Sequence, residues 1–155
     1  MREIYASGPT PGYLARRSSM AYWLFKQEPG CYSYADLERD RTTVWDGVSN
    51  HLARRNLRQV KPGDRILFYH TGKEKAVVGE MRAVGNPKAD PKSDDPNSVV
   101  VEVQAVRRLH PVTLGQIKDD PQLANWDLVR LPRLSVVPVT EVQWQRVEQL
   151  SKEAG

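Results

Sequence analysis

The chain has 155 residues, 39% of them hydrophobic and 27% charged, as expected for one globular domain with a core of its own. No apolar run approaches the length of a membrane span, so we expect no membrane partner. The only cysteine, Cys31, excludes an internal disulfide and a cysteine-based zinc site. A lone cysteine fits a reducing compartment, and we expect the bacterial cytosol, or the nucleus in a eukaryote.

The net charge of +4 is unevenly spread. Residues 1–19 carry Arg2, Arg16 and Arg17 against Glu3, which is a surplus of two and leaves the other two for the rest of the chain. The main part of the chain is therefore only mildly basic. It does not have the charge of a protein that holds nucleic acid by phosphate contacts alone. If the chain binds nucleic acid, a shaped pocket must do much of the selection.

Residues 1–19 contain the turn-rich run Gly8-Pro9-Thr10-Pro11-Gly12 and no apolar periodicity, which predicts a disordered N-terminal extension. A start codon assigned too early and a mitochondrial presequence are the alternatives. We expect the folded domain to cover residues 20–150 and a C-terminal tail to cover residues 151–155.

The first half of the domain begins with an aromatic strand at Tyr22–Lys26. A short helix at Tyr34–Glu38, a helix at His51–Arg58 capped by Ser49 or Asn50, and a buried strand at Arg65–His70 follow.

In the second half, the patterns predict a strand at Ala76–Val84, a surface loop from Asn86 to Asn97, a half-buried strand at Ser98–Arg108, a helix at Leu114–Lys118, a turn of helix from Asp120, a strand at Leu134–Val139 and a helix ending near Leu150. Because helices and strands do not alternate regularly, a doubly wound fold is excluded. The pattern favours an α+β fold, a small mixed β-barrel of five to six strands with short flanking helices.

Three motifs stand out, and the first and the third of them end predicted strands. They are Lys26-Gln27-Glu28-Pro29, then Trp45-Asp46-Gly47-Val48-Ser49-Asn50, and then Phe68-Tyr69-His70. The second motif places an indole beside a carboxylate, followed by a glycine and small polar residues. We expect the three segments to meet at one pocket.

Together with Val77-Val78-Gly79 and the segment from Leu128 to Val136, these motifs resemble the EVE domain family over residues 20–150. The resemblance implies the PUA-like fold. It also implies binding of nucleic acid that carries a modified base, a cytosine derivative in DNA or a modified base in RNA. Ser49 stands where many members carry arginine, which leaves the choice between DNA and RNA open.

A flat, substituted ring needs a face to stack on, polar groups for its pairing edge and room for the substituent. Trp45 offers the stacking face, worth roughly 1–3 kcal/mol per base. Asn50 offers a donor and an acceptor, and Asp46 or Glu28 accepts from an exocyclic amine. The candidate base contacts are Lys26, Glu28, Trp45, Asp46, Gly47, Val48, Asn50, Tyr69 and His70. The candidate phosphate contacts are Arg54, Arg55 and Arg133, with Lys26 as a further cation.

Each candidate also has a purely structural interpretation. Trp45 is a core residue, His70 a satisfied structural histidine, and Asn50 a helix cap. The arginines from Arg54 to Arg58 form a solvated helix face. These alternatives stay open at the level of sequence.

Three functions compete. The first is a non-catalytic reader of a modified base, acting as a monomer without cofactor, metal or catalytic residues. The second is a hydrolase of modified nucleosides like the ASCH relatives, with Lys26, Glu28 and His70 as an acid/base set. The third is a protein-interaction adaptor that uses the loop from Asn86 to Asn97 or the N-terminal extension.

Overall fold

The computed structural model describes residues 20–154, and the predicted N-terminal extension lies outside them. The described elements, in chain order, are β1 (Tyr22–Gln27), α1 (Tyr34–Asp40), β2 (Thr42–Trp45), α2 (His51–Leu57), β3 (Arg65–His70), β4 (Ala76–Ala83), β5 (Lys88–Ala89), β6 (Val99–Thr113), α3 (Leu114–Asp119), α4 (Asp127–Arg130), β7 (Val136–Val139) and α5 (Glu141–Ala154). Within these residues, no helix is both long enough and apolar enough to cross a membrane.

The strands form one sheet in the order β2-β6-β4-β3-β1-β7, and β5 adds to β6 beside this path. The pair β1–β3 is parallel, and every other neighbouring pair is antiparallel. The α+β class is confirmed. The described residues form a seven-stranded sheet, where the sequence predicted five to six strands, because the short strands β2 and β5 pair with the long strand β6.

The structure corrects two predictions in the second half of the chain. The predicted turn of helix at Asp120 is a run of turns, and the next helix begins only at Asp127. The Asp120 carboxylate accepts from the amide of Gln122 at 2.8 Å and from Nε of Arg146 at 2.6 Å. The predicted tail after Leu150 is helical, since α5 continues to Ala154. Ser151 is buried on this last turn and donates from Oγ to the His110 carbonyl at 2.9 Å.

Helix α2 covers part of the open edge of the sheet. It contacts both β7, the strand at one end of the order, and β6 near the other end. The side-chain amide of Asn56 donates from Nδ2 to the Val136 carbonyl on β7 at 2.8 Å. An edge strand leaves such carbonyls without a partner, so this bond satisfies one of them and fixes α2 against the sheet.

The core contains a close approach between α1 and β4. The Tyr34 hydroxyl lies 2.6 Å from the Glu80 carbonyl oxygen and 2.8 Å from that of Arg107. This places the Tyr34 ring directly over Gly79, where an added Cβ atom would lie 2.4 Å from a ring carbon. The burial of Tyr34 raises the pKa of its hydroxyl to about 12, so it stays a neutral donor.

Trp45 ends β2 inside the same core. Its indole is 4% exposed and lies 5.3 Å from the ring centroids of both Phe25 and Phe68, edge-on to Phe68. Aromatic pairs at these separations stabilise a core beyond the area that they bury. The structural interpretation of Trp45 therefore describes most of its surface.

We predict that Gly79→Ala lowers the free energy of unfolding by about 1–3 kcal/mol, because the Tyr34 ring is held by its hydroxyl and cannot move away from the new methyl group. The matched control is Gly30→Ala, since a Cβ atom at Gly30 meets nothing within 4 Å. Urea denaturation of both variants measures the difference. Equal stabilities would contradict the close approach.

We predict that Trp45→Ala lowers the free energy of unfolding by about 3–5 kcal/mol, the usual cost of deleting a large buried aromatic side chain. The control is Val44→Ala on the same strand, whose side chain is 48% exposed and whose loss costs less. A Trp45→Ala variant with the wild-type denaturation midpoint would show that the indole does not support the core.

Candidate functional site

The site begins where the parallel strands β1 and β3 end together. Lys26 pairs with Tyr69 and Gln27 with His70, and the amide of Thr71 continues the ladder by donating to the Gln27 carbonyl at 3.0 Å. Since the carboxyl ends of parallel strands meet at one edge of a sheet, the first and third sequence motifs are brought together there.

Side-chain alternation divides this edge into two faces. Phe25 and Phe68 pack on Trp45, so their face of the sheet is the face that carries the indole. Lys26 and Tyr69 each follow one residue later and therefore point to the opposite face. The ammonium of Lys26 lies 5.8 Å from the centroid of the Tyr69 ring, in agreement with this arrangement. The predicted single pocket is thus split between two faces.

On the Trp45 face lies a cleft of about 280 Å³, called the Trp45 cleft below. It is lined by Gln27, Cys31, Tyr32, Thr43, Val44, Trp45 and Asp46. Trp45 forms its inner wall, and the exposed Asp46 carboxylate makes no hydrogen bond or ion pair to any residue between 20 and 154. Tyr32 is half-buried and donates from its hydroxyl to Asp40 at 2.9 Å. Burial is the largest influence on the Tyr32 hydroxyl and raises its pKa.

The loop from Asp46 to Asn50 joins this cleft to α2. Gly47 has φ +73°, a left-handed conformation that glycine adopts without strain. An added Cβ atom would meet nothing within 4 Å, so the backbone turn, and not a close contact, favours glycine here. Val48 is buried and anchors the loop in the core. Asn50 caps α2, since its Oδ1 accepts from the amide of Ala53 at 2.9 Å.

Arg54 also holds this loop, although the sequence predicted it as a phosphate contact. Its Nε donates to the Val48 carbonyl at 2.7 Å, and its Nη1 lies 2.9 Å from the Asp95 carboxylate. The side chain is 11% exposed. Its Nε and Nη1 are therefore engaged by the loop and by Asp95, which gives Arg54 a structural role. Arg55 and Arg133 are exposed and have no ion pair within residues 20–154.

On the opposite face, Lys26 fastens the chain that precedes β7. Its Nζ donates to the Pro132 carbonyl at 2.8 Å and its backbone amide to the Ser135 carbonyl at 3.0 Å. Burial lowers the pKa of the Lys26 ammonium and raises the pKa of Tyr69 to about 12. Beside this segment lies a groove of about 310 Å³, lined by Asn50, Leu52, Arg130, Leu131, Pro132, Arg133 and Leu134.

The ring of His70 is buried and is bonded within the protein. Its Nε2 accepts from the amide of Tyr34 at 3.0 Å, and its Nδ1 lies 2.7 Å from Glu74. The network assigns the ring proton to Nδ1, so both nitrogens are engaged. Glu28 lies against Gly72 and 3.4 Å from the Thr71 hydroxyl. Lys26 and His70 lie on opposite faces of the β1–β3 edge, and Glu28 lies beside Thr71.

The sequence motifs missed part of this site. Gln27, Tyr32 and Thr43 line the Trp45 cleft without having been selected as candidates. Side chains alternate along β1, so Gln27 points to the face opposite Lys26. This alternation could have identified Gln27 from the sequence. Within residues 20–154, no group of three or more histidine, cysteine or acidic side chains is arranged to hold a metal ion.

Comparison with known proteins agrees with this architecture. Human thymocyte nuclear protein 1 is 32% identical over 85% of this chain and 74% of its own length. The solved structure of Rpa0253 from Rhodopseudomonas palustris is similar with a TM-score of 0.82 and 33% identity, over 88% of this chain and 96% of that one.

Human THYN1 in complex with DNA containing 5-methylcytosine is similar with a TM-score of 0.77 and 31% identity, over 85% of this chain and 98% of that one. An ASCH protein from Zymomonas mobilis has a TM-score of 0.56 at 12% identity, over 84% of this chain and 99% of that one, and shows the fold alone. The sequence model of the EVE domain matches residues 21–150. The chain therefore belongs to the EVE domain family, as its three motifs predicted.

Proposed function

We propose that this chain is a non-catalytic module that binds DNA containing a modified cytosine and holds the modified base in the Trp45 cleft. The observation that carries the proposal is the unpartnered Asp46 carboxylate at a cleft lined by Trp45 and Tyr32. The family relative crystallised with 5-methylcytosine DNA supports the choice of ligand. A modified base in RNA presents the same chemistry, and the binding experiments below include it.

The cleft has groups suited to a methylated cytosine. The exocyclic amine of cytosine is a donor, and the Asp46 carboxylate accepts from such a group. The Tyr32 ring supplies aromatic surface for the base, and the buried Trp45 lies behind it. The exposed Val44 offers an apolar contact for a methyl group. Trp45 thus acts as a fixed wall, rather than as the freely exposed stacking platform that the sequence suggested.

The enzyme alternative has weaker support. Its acid/base set requires Lys26, Glu28 and His70 at one reacting centre, whereas Lys26 and His70 occupy opposite faces of the β1–β3 edge. The Lys26 ammonium is bonded to a carbonyl, and both His70 nitrogens are bonded within the protein. A binding role uses the unpartnered groups of the Trp45 cleft and needs no reacting centre.

We predict tighter binding to a duplex with one 5-methylcytosine than to the same duplex with cytosine, by about tenfold, since one buried methyl group discriminates to roughly that extent. Fluorescence anisotropy at low and at high salt measures the ratio, and matched RNA strands test the other nucleic acid. Phosphate contacts weaken with salt, while the ratio stays constant because it comes from the cleft. Equal affinities at both salt concentrations would contradict base reading.

We predict that Asp46→Ala weakens binding of the 5-methylcytosine duplex by about 10- to 100-fold, because a hydrogen bond to a charged acceptor is lost. The control is Asp94→Ala, which removes the same charge from an exposed position in the loop before β6. Removing an acid alone strengthens the attraction to DNA, so the two variants are expected to change the affinity in opposite directions. Tighter binding by both would place the base elsewhere.

A further inference from the structure

The groove on the Lys26 face has an apolar floor that the base-reading cleft does not use. Leu134 is buried at its base, and Leu52 and Leu131 are 38% and 37% exposed along it. Single exposed leucines are ordinary, whereas two that share one concave surface of about 310 Å³ form an apolar platform. Flat aromatic ligands bind to such platforms.

The rim of this groove is cationic. Arg130 and Arg133 line it, and none of its lining residues is acidic. Arg130 lies 2.9 Å from Asp127 and remains 60% exposed, while Arg133 has no acidic partner within residues 20–154. Arg55 follows Leu52 by three positions on α2, which places it on the same side of that helix. An apolar floor below guanidinium groups matches a nucleotide, with its base below and its phosphate above.

The groove is also held in shape. The Leu131 amide donates to the Asp127 carbonyl at 2.7 Å, the Leu134 amide donates to the Leu131 carbonyl at 3.0 Å, and Lys26 binds the Pro132 carbonyl. Asn50 uses only its Oδ1 in capping α2, so its Nδ2 remains a donor at the edge of the groove. A site formed before binding loses less entropy when its ligand arrives.

The groove and the Trp45 cleft are joined by one short loop. Trp45 and Asp46 line the cleft, and Asn50, at the end of the same loop, lines the groove. Five residue steps span at most about 17 Å when extended, so a single strand of a few nucleotides reaches both sites. We propose that the groove holds a nucleotide that flanks the modified base on the same strand, with its base on Leu52 and Leu131 and its phosphate at Arg133. This inference rests on the proposed function.

The test removes one base at a time. Short duplexes carry one 5-methylcytosine, and an abasic unit replaces its neighbour on the 5′ or the 3′ side. Wild-type protein is expected to bind one of these duplexes at least about fivefold more weakly than the intact duplex. In Leu131→Ser, the intact duplex is bound more weakly and the abasic unit makes no further difference. Val142→Ser, which changes an exposed apolar residue of α5 outside the groove, keeps the wild-type pattern.

The outcomes separate this inference from the proposed function. The flanking site is overturned if the abasic unit weakens binding on neither side, or if it weakens binding equally in all three proteins. The groove is then left to a protein partner. Repeating the series with unmodified cytosine tests the base reading separately. If the penalty depends on Leu131 while methylation has no effect, the groove stands and the proposed base reading fails. If the wild type binds none of these duplexes, both fall.

Discussion

The whole site depends on the parallel pairing of β1 with β3. Their in-register ends bring Lys26 beside Tyr69 and Gln27 beside His70, and the alternation of side chains then sends each pair to a different face. One face shares the aromatic cluster of Phe25, Trp45 and Phe68, and the other face fastens the segment before β7 through Lys26. Two clefts with different chemistry therefore flank a single strand end.

The loop from Asp46 to Asn50 connects the two clefts, and its rigidity has identifiable causes. Val48 is buried, Gly47 supplies the left-handed turn, and Asn50 caps α2. Arg54 binds the Val48 carbonyl and also Asp95, which belongs to the long loop before β6. This long loop therefore helps to hold the site, although the loop itself lies outside the Trp45 cleft. A fixed loop favours selection of the ligand by shape. A net charge of only +4 gives little affinity through phosphate contacts alone, so a nucleic-acid ligand must be selected largely in this way.

Much of the fold could be predicted because its signals are local. The strand β3 is a continuous apolar run, and α1 begins at a complete capping box formed by Ser33 and Asp36. The short strands β2 and β5 could not be predicted, since they exist through pairing with the distant strand β6. The first and the third motif were predicted at strand ends, and these ends are neighbours. The face that carries Trp45 depends on packing against Phe25 and Phe68, which the sequence alone does not show.

The central claim is that the modified base lies in the Trp45 cleft. Isotope-filtered NOE spectra of the labelled protein bound to DNA with one 5-methylcytosine test it most directly, because the methyl protons report their nearest side chains. With the base in the Trp45 cleft, we expect contacts from this methyl group to the ring protons of Tyr32 and Trp45, which line the cleft. Contacts to the methyl groups of Leu52 and Leu131 would instead place the modified base in the groove on the opposite face and contradict the proposed function.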